Sequence, residues 1–105
     1  MIWVLAFLLA SPDALMFRDP PKSFRPWVIW WWFGSAASES DLRFELGEMD
    51  RAGIGGAQVF PCYPLGADDP ERGIRNVSLY STNYISRFRA AVEEAGRRRM
   101  TLFSA

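Results

Sequence analysis

RPWVIWWWFG, residues 25–34, is the stretch on which the fold turns. It is a run of β-branched and aromatic residues closed by Pro26 and Gly34, with apolar side chains at successive positions instead of alternating with polar ones. That pattern predicts a strand buried on both faces. Strands of this kind stand in parallel sheets, and a parallel neighbour is reached only through a crossover, normally a helix.

The residues that follow supply the crossover. Ser38-Glu39-Ser40-Asp41 has the form of a capping box, in which the Ser38 hydroxyl accepts from the Asp41 amide and the Asp41 carboxylate reaches back. Leu42, Leu46 and Met49 then fall at helical spacing, with Arg43, Glu45 and Asp50 left to the wet face. The helix is expected to end near Ala52, with Gly53 in the left-handed conformation and Ile54 folding back on the last turn. Residues 57–60 predict a second short strand, which Pro61 and Pro64 should stop. GIGG at 53–56 follows a helix and precedes a strand, the reverse of a phosphate-binding loop, so its glycines are read as turn geometry.

Residues 66–77 (GADDPERGIRNV) have no periodicity, and a loop this long is uncommon in a compact domain unless it is functional or mobile. It leaves the carboxyl end of the second strand, where ligands bind in parallel α/β folds. A second helix is predicted over 82–98, capped by Ser81, with Ile85, Phe88, Val92 and Ala95 on its buried stripe. Arg97, Arg98 and Arg99 suit the negative end of its dipole. Residues 100–103 restart a strand-type run. The predicted fold class is therefore α/β, in the order β-α-β-α-β with parallel strands, as in part of a (β/α)8 barrel.

Composition narrows the chemistry. Twelve basic and twelve acidic residues cancel, which removes the electrostatic footprint of a nucleic-acid binder. Without histidine, Ser-His or Cys-His catalysis and imidazole zinc sites are excluded within these residues, and only carboxylate chemistry stays open. The single cysteine, Cys62, reads as a small buried apolar side chain at a strand end. Met1 to Ala10 (MIWVLAFLLA) matches a signal-peptide core in length and is too short to span a bilayer as a helix. No basic residue precedes it, so residues 1–16 are read either as a signal peptide or as an N-terminal helix, with residues 17–105 as the domain. The first reading implies a secreted or periplasmic protein, the second leaves a cytoplasmic one. No stable membrane span is expected.

RPWVIWWWFG, MDRAGIGGAQVFPCYPL and DDPERGIRN together resemble the amino-terminal part of the catalytic (β/α)8 barrel of bacterial glycoside hydrolases of the α-L-rhamnosidase type, over about residues 17–103. The resemblance implies the first three strands and first two helices of that barrel, a carbohydrate substrate for the whole enzyme, a possible use of calcium, and catalytic carboxylates on later strands. On that reading the chain is a piece of a longer enzyme and inactive alone. Gln58 stands where relatives commonly carry an acid, and it can hydrogen-bond a sugar but not transfer a proton. Near Arg99 a glycine is usual, and Phe103 and Ser104 depart from the polar strand end of the family.

Glycoside hydrolysis needs two carboxyl groups across the scissile bond. Here the acids lie on helix surfaces or in the 66–77 loop, where Asp68 and Asp69 read as a solvated face; no catalytic residue and no metal ligand is assigned. Substrate contact is assigned to Trp30 and Trp32, expected to point into the barrel, and to Gln58 and Tyr63 on the second strand and its exit. The competing readings are that all the tryptophans from Trp27 on are core, and that the chain is a small binding domain using its aromatic strand. Open strand edges and exposed aromatics further predict that the chain alone self-associates.

Overall fold

Aromatic and β-branched residues do form the first strand, and the segment after it does coil into a crossover helix. The computed structural model describes residues 12–104. Its elements are α1 (Pro12–Arg18), β1 (Trp27–Phe33), α2 (Glu39–Arg51), β2 (Gly56–Cys62), α3 (Thr82–Arg97) and β3 (Thr101–Ser104), with 3-10 turns at Lys22–Phe24 and Pro70–Arg72. The strands make one sheet in the order β1-β2-β3, and both pairings are parallel. The register sets Trp27 beside Gly56 and Phe33 beside Cys62 on one flank of β2, and Gly56 beside Thr101 on the other. This is the expected α/β order, a partial β/α barrel.

Two boundaries differ from expectation. β2 runs on through Pro61 to Cys62; its described pairing with β3 ends at Val59, so Pro61 lies where one flank of β2 needs no donor. Prolines at 20, 21 and 26 predict an extended lead-in at 17–26, but α1 continues to Arg18 and one 3-10 turn follows the Pro20-Pro21 pair. Pro20 disfavours helix at Asp19, which ends α1 there. Of residues 1–16, read as a signal peptide or an N-terminal helix, 1–11 lie outside the described residues and 12–16 belong to α1.

β1 is buried on one face only, which corrects the expectation of two-sided burial. Trp30 and Trp32 are sealed beneath the helices, whereas Trp27, Ile29 and Trp31 are about half exposed on the opposite face. Leu42 and Leu46 of α2, Val59 of β2, and Tyr84, Ala91 and Ala95 of α3 complete the core with them. Each large side chain buried there contributes about 1.5–3 kcal/mol. Trp30 Nε1 donates to Glu45 Oε2 at 2.6 Å, so Glu45 is not simply on the wet face. Trp32 presents its ring to Tyr84 and Phe88, at 6.0 and 6.2 Å between centroids.

On α3 the buried stripe is Tyr84, Phe88, Ala91 and Ala95, one position round from the expected one. Ile85 and Val92 are exposed. Small residues at 90, 91 and 95 let α3 approach α2 and the sheet closely, which a stripe through Val92 would not. Across the two helices, Ser86 Oγ donates to Glu39 Oε1 at 2.9 Å and Arg43 lies 3.6 Å from Glu94.

Helix ends follow their sequence signals. Ser38 and Asp41 exchange both bonds of the capping box, and Ser81 Oγ accepts from Tyr84 N at 3.2 Å. The Ser38 hydroxyl, donating to Asp41 Oδ2, holds that carboxyl below its usual range. After α2, Gly53 N donates to Asp50 O and Ile54 N to Met49 O, a Schellman closure with Gly53 at φ 86°. The same closure follows α3, with Arg99 N on Gly96 O and Met100 N on Ala95 O, but Arg99 takes the left-handed position at φ 56°.

The amino ends of the strands are closed by the lead-in. Lys22 Nζ donates to Arg98 O and pairs with Asp50 at 2.9 Å, and Arg98 reaches both Asp50 and Glu94. A Cβ on Gly55 would stand 2.2 Å from Lys22 O, and one on Gly56 2.9 Å from Thr101 O. The paired glycines therefore serve close approach of neighbouring chains, while Gly53 alone supplies turn geometry. The hydrogen bond from Lys22, then its charge and those from Arg98, hold the Asp50 carboxyl below its ordinary 3.8 despite partial desolvation.

Two predictions follow from these ends. Replacing Arg99 by glycine relieves a left-handed non-glycine residue, and even after the larger unfolded-state entropy of glycine it should raise stability by about 0.5–1 kcal/mol, read from the urea midpoint. Because the folded value of Asp50 is depressed, its contribution is complete above the unfolded value and is lost as pH falls through the folded one. Urea midpoints should therefore fall below about pH 4, and Asp50→Asn should flatten that part of the profile.

Candidate site at the carboxyl end of the sheet

Parallel register decides which side chains share a surface. Ile29, Gln58 and Phe103 form one row across the three strands, and Trp31 with Phe60 forms the next toward the carboxyl ends. Ring centroids lie 4.9 Å apart for Trp31 and Phe60, 6.4 Å for Trp31 and Phe33, 6.1 Å for Phe33 and Tyr63, and 5.5 Å for Trp27 and Phe103. The result is an uncovered aromatic face that rises to the rim. Gln58 lies in it, and its amide has no hydrogen-bond partner among the described residues. Tyr63 stands at the rim, 73% exposed.

Trp30 and Trp32 do not belong to this surface. They were expected to point inward, yet both lie on the helix side, 6% and 4% exposed. The cause is parity: a strand sends alternate residues to opposite faces, and α2 and α3 cover the even-numbered ones. Trp31, which the sequence placed at the rim without assigning it a contact, and Phe60 occupy the open face instead.

The rim itself is built by backbone bonds. Gly34 N donates to Cys62 O at 2.9 Å, and Val77 N donates to Gly34 O at 2.7 Å, fastening the far end of the long loop to the end of β1. Within the loop, Asp68 Oδ1 accepts from both the backbone and the side-chain nitrogen of Asn76 at 2.9 Å. Asp69 accepts from Arg72 N to cap the 3-10 turn and lies 3.5 Å from the Arg72 guanidinium. These two acids hold loop shape. A cleft of about 320 Å³ opens between Gly34, Pro61, Cys62, Asn76 and Val77, and Cys62 is only half-buried beside it.

Electrostatically the face is neutral. None of the three strands carries an ionisable group other than the Cys62 thiol. The arrangement can stack an apolar ring face and offer one amide and one phenol, but it holds no acid or base pair. Among the described residues no three carboxylate, cysteine or histidine groups converge to hold a metal ion. No helix among them is long and apolar enough to cross a membrane.

A parallel β-α-β-α-β unit with its candidate contacts at the carboxyl ends belongs to the class of β/α barrel pieces. Among solved structures the chain is similar to a rhamnosidase from Novosphingobium sp. PP1Y, with 29% identity and a TM-score of 0.72. The match covers 87% of this chain and 8% of that one. The chain thus spans a small part of the protein it matches. No family model and no curated protein matches it.

The rim bonds give a test. A Cβ on Gly34, which sits at φ 57°, would stand 2.2 Å from Asn76 Oδ1. Gly34→Ala should therefore release the loop from β1, seen as faster hydrogen exchange at Val77 and faster proteolysis within 66–77, while the β1–β2 amides stay protected.

Proposed function

We propose that this chain is the opening portion of a carbohydrate-active barrel of the α-L-rhamnosidase type, which binds part of the sugar and leaves bond cleavage to carboxylates elsewhere in the enzyme. The observation that carries the reading is the similarity of 87% of the chain, at 29% identity, to a rhamnosidase. The site supports it chemically: an aromatic platform of Trp31 and Phe60 suits the apolar face of a sugar ring, and Gln58 and Tyr63 suit its hydroxyls. In this reading Trp31 replaces Trp30 and Trp32 as the stacking residue.

The purified 105-residue chain should not hydrolyse an aryl α-L-rhamnoside above the buffer rate, since the described strands lack an acid and base pair. The positive test is a chimera in which residues 17–104 replace the matching stretch of the Novosphingobium rhamnosidase. Retained hydrolysis, with kcat/KM falling about tenfold or more for Trp31→Ala, supports the proposal. A folded, active chimera that is indifferent to Trp31→Ala and Gln58→Ala removes the assigned contacts, and a folded chimera without activity removes the family reading.

A further inference from the structure

The turn that ends β1 is strained, and a side chain from a distant helix holds it. Gly34 and Ser35 stand one after the other in the left-handed region, at φ 57° and 47°, and Ala36 N closes the turn on Phe33 O at 3.3 Å. Two such positions in succession suit glycine or asparagine, and serine is strained there. Strain of this kind persists only where the surroundings over-determine it, and it gathers at ligand clamps and active sites. Ser35 is 5% exposed, and its carbonyl accepts from Arg87 Nη1, 52 residues further on in α3. A charged donor makes a stronger bond to a carbonyl than a neutral one.

The geometry places Arg87 to act on the rim. Tyr84 and Phe88 flank it along α3 and pack against Trp32, so its backbone is fixed to the helix side of β1. Its charge, after the bonds from Ser38, also helps hold the Asp41 carboxyl at the head of α2 below its usual range. The turn in its grip carries the rest of the rim. Gly34 donates to Cys62 O and accepts from Val77 N, and Gly34 and Ser35 both line the cleft of about 320 Å³. Phe33, immediately before the turn, stacks on Trp31 and meets Tyr63 edge to face. Every one of these groups comes from neighbouring elements within this chain.

We propose that Arg87 is a positioning residue for the sugar site: through the Ser35 carbonyl it holds the 34–35 turn in its strained form, and with it Phe33 and the loop fastened at Val77. The inference rests on the glycosidase reading for its consequence in binding, but the hold on the turn is read separately. The first arm is hydrogen exchange in the 105-residue chain. Arg87→Met, which keeps length and loses the donor, should speed exchange at Ala36 and Val77 at least about tenfold while the β1–β2 amides stay protected. The second arm is the active chimera. There Arg87→Met should raise KM about fivefold or more with kcat within about twofold, because the rim binds sugar and does no chemistry, and Arg87→Lys should recover most of the loss. Unchanged exchange at Ala36 and Val77 overturns the proposal, as does an active chimera whose KM ignores Arg87→Met. It is equally overturned if kcat falls together with core protection and lysine restores nothing, or if Asp41→Asn reproduces the effect, which would assign it to the α2 cap. An inactive parent chimera removes the glycosidase reading, and the exchange arm then decides the role of Arg87 by itself.

Discussion

Everything in this structure depends on the wedging of two indole rings, Trp30 and Trp32, between the sheet and its two crossover helices. They touch each other edge to face at 5.3 Å, and they are contacted by Glu45 from α2 and by Tyr84 and Phe88 from α3. One side of β1 thereby fixes where both helices lie. Because neighbouring strand residues point oppositely, the same contact commits Trp27, Ile29 and Trp31 to the uncovered side. Core and candidate site are thus two consequences of one parity.

The two ends of the sheet are held by different chemistry. At the amino ends, Lys22, Asp50, Arg98 and Glu94 form a network around the lead-in, and Gly55 and Gly56 allow backbones to meet without side chains between them. Glu94 shows how the balance falls: burial pushes its carboxyl upward, but hydrogen bonds from Arg97 and Arg98 outweigh it and hold the group below its usual range. At the carboxyl ends no such charge network is present among the described residues. Backbone bonds from Gly34 and the Asp68–Asn76 clasp shape the rim, while the strand face beside it is neutral and aromatic. That division matches the general separation of a stabilising end from a ligand-binding end in parallel α/β barrels.

Much of the fold was legible because it rests on local signals. The capping box at Ser38, the cap at Ser81, the glycine closure at Gly53 and the Leu42–Leu46 stripe each depend on residues within one or two turns of one another. What was not legible depends on choosing between equivalent alternatives or on distant contacts. Both parities of β1 are aromatic, so composition could not say whether Trp31 or Trp32 faces the helices. Ile85 and Val92 compete with Tyr84 and Ala91 for the buried side of α3, and only the closeness of α2 decides. The Asp68–Asn76 clasp joins residues across an irregular loop, so the sequence showed the acids there only as a solvated face and not the bonds they make. Likeness to a rhamnosidase was visible in the RPW, RAGIGG and YPL segments, and the structural match covers 87% of the chain.

Core, rim and open face all require the parallel pairing of the tryptophan strand with its neighbour through a helical return. Nuclear Overhauser contacts between the backbone protons of β1 and β2 test it most directly. Contacts are expected at both ends in the same sense, with Trp27 beside Gly56 and Phe33 beside Cys62. Contacts that instead bring Trp27 to Cys62 and Phe33 to Gly56 would reverse one strand, and with it the barrel geometry, the open aromatic face and the site built upon it.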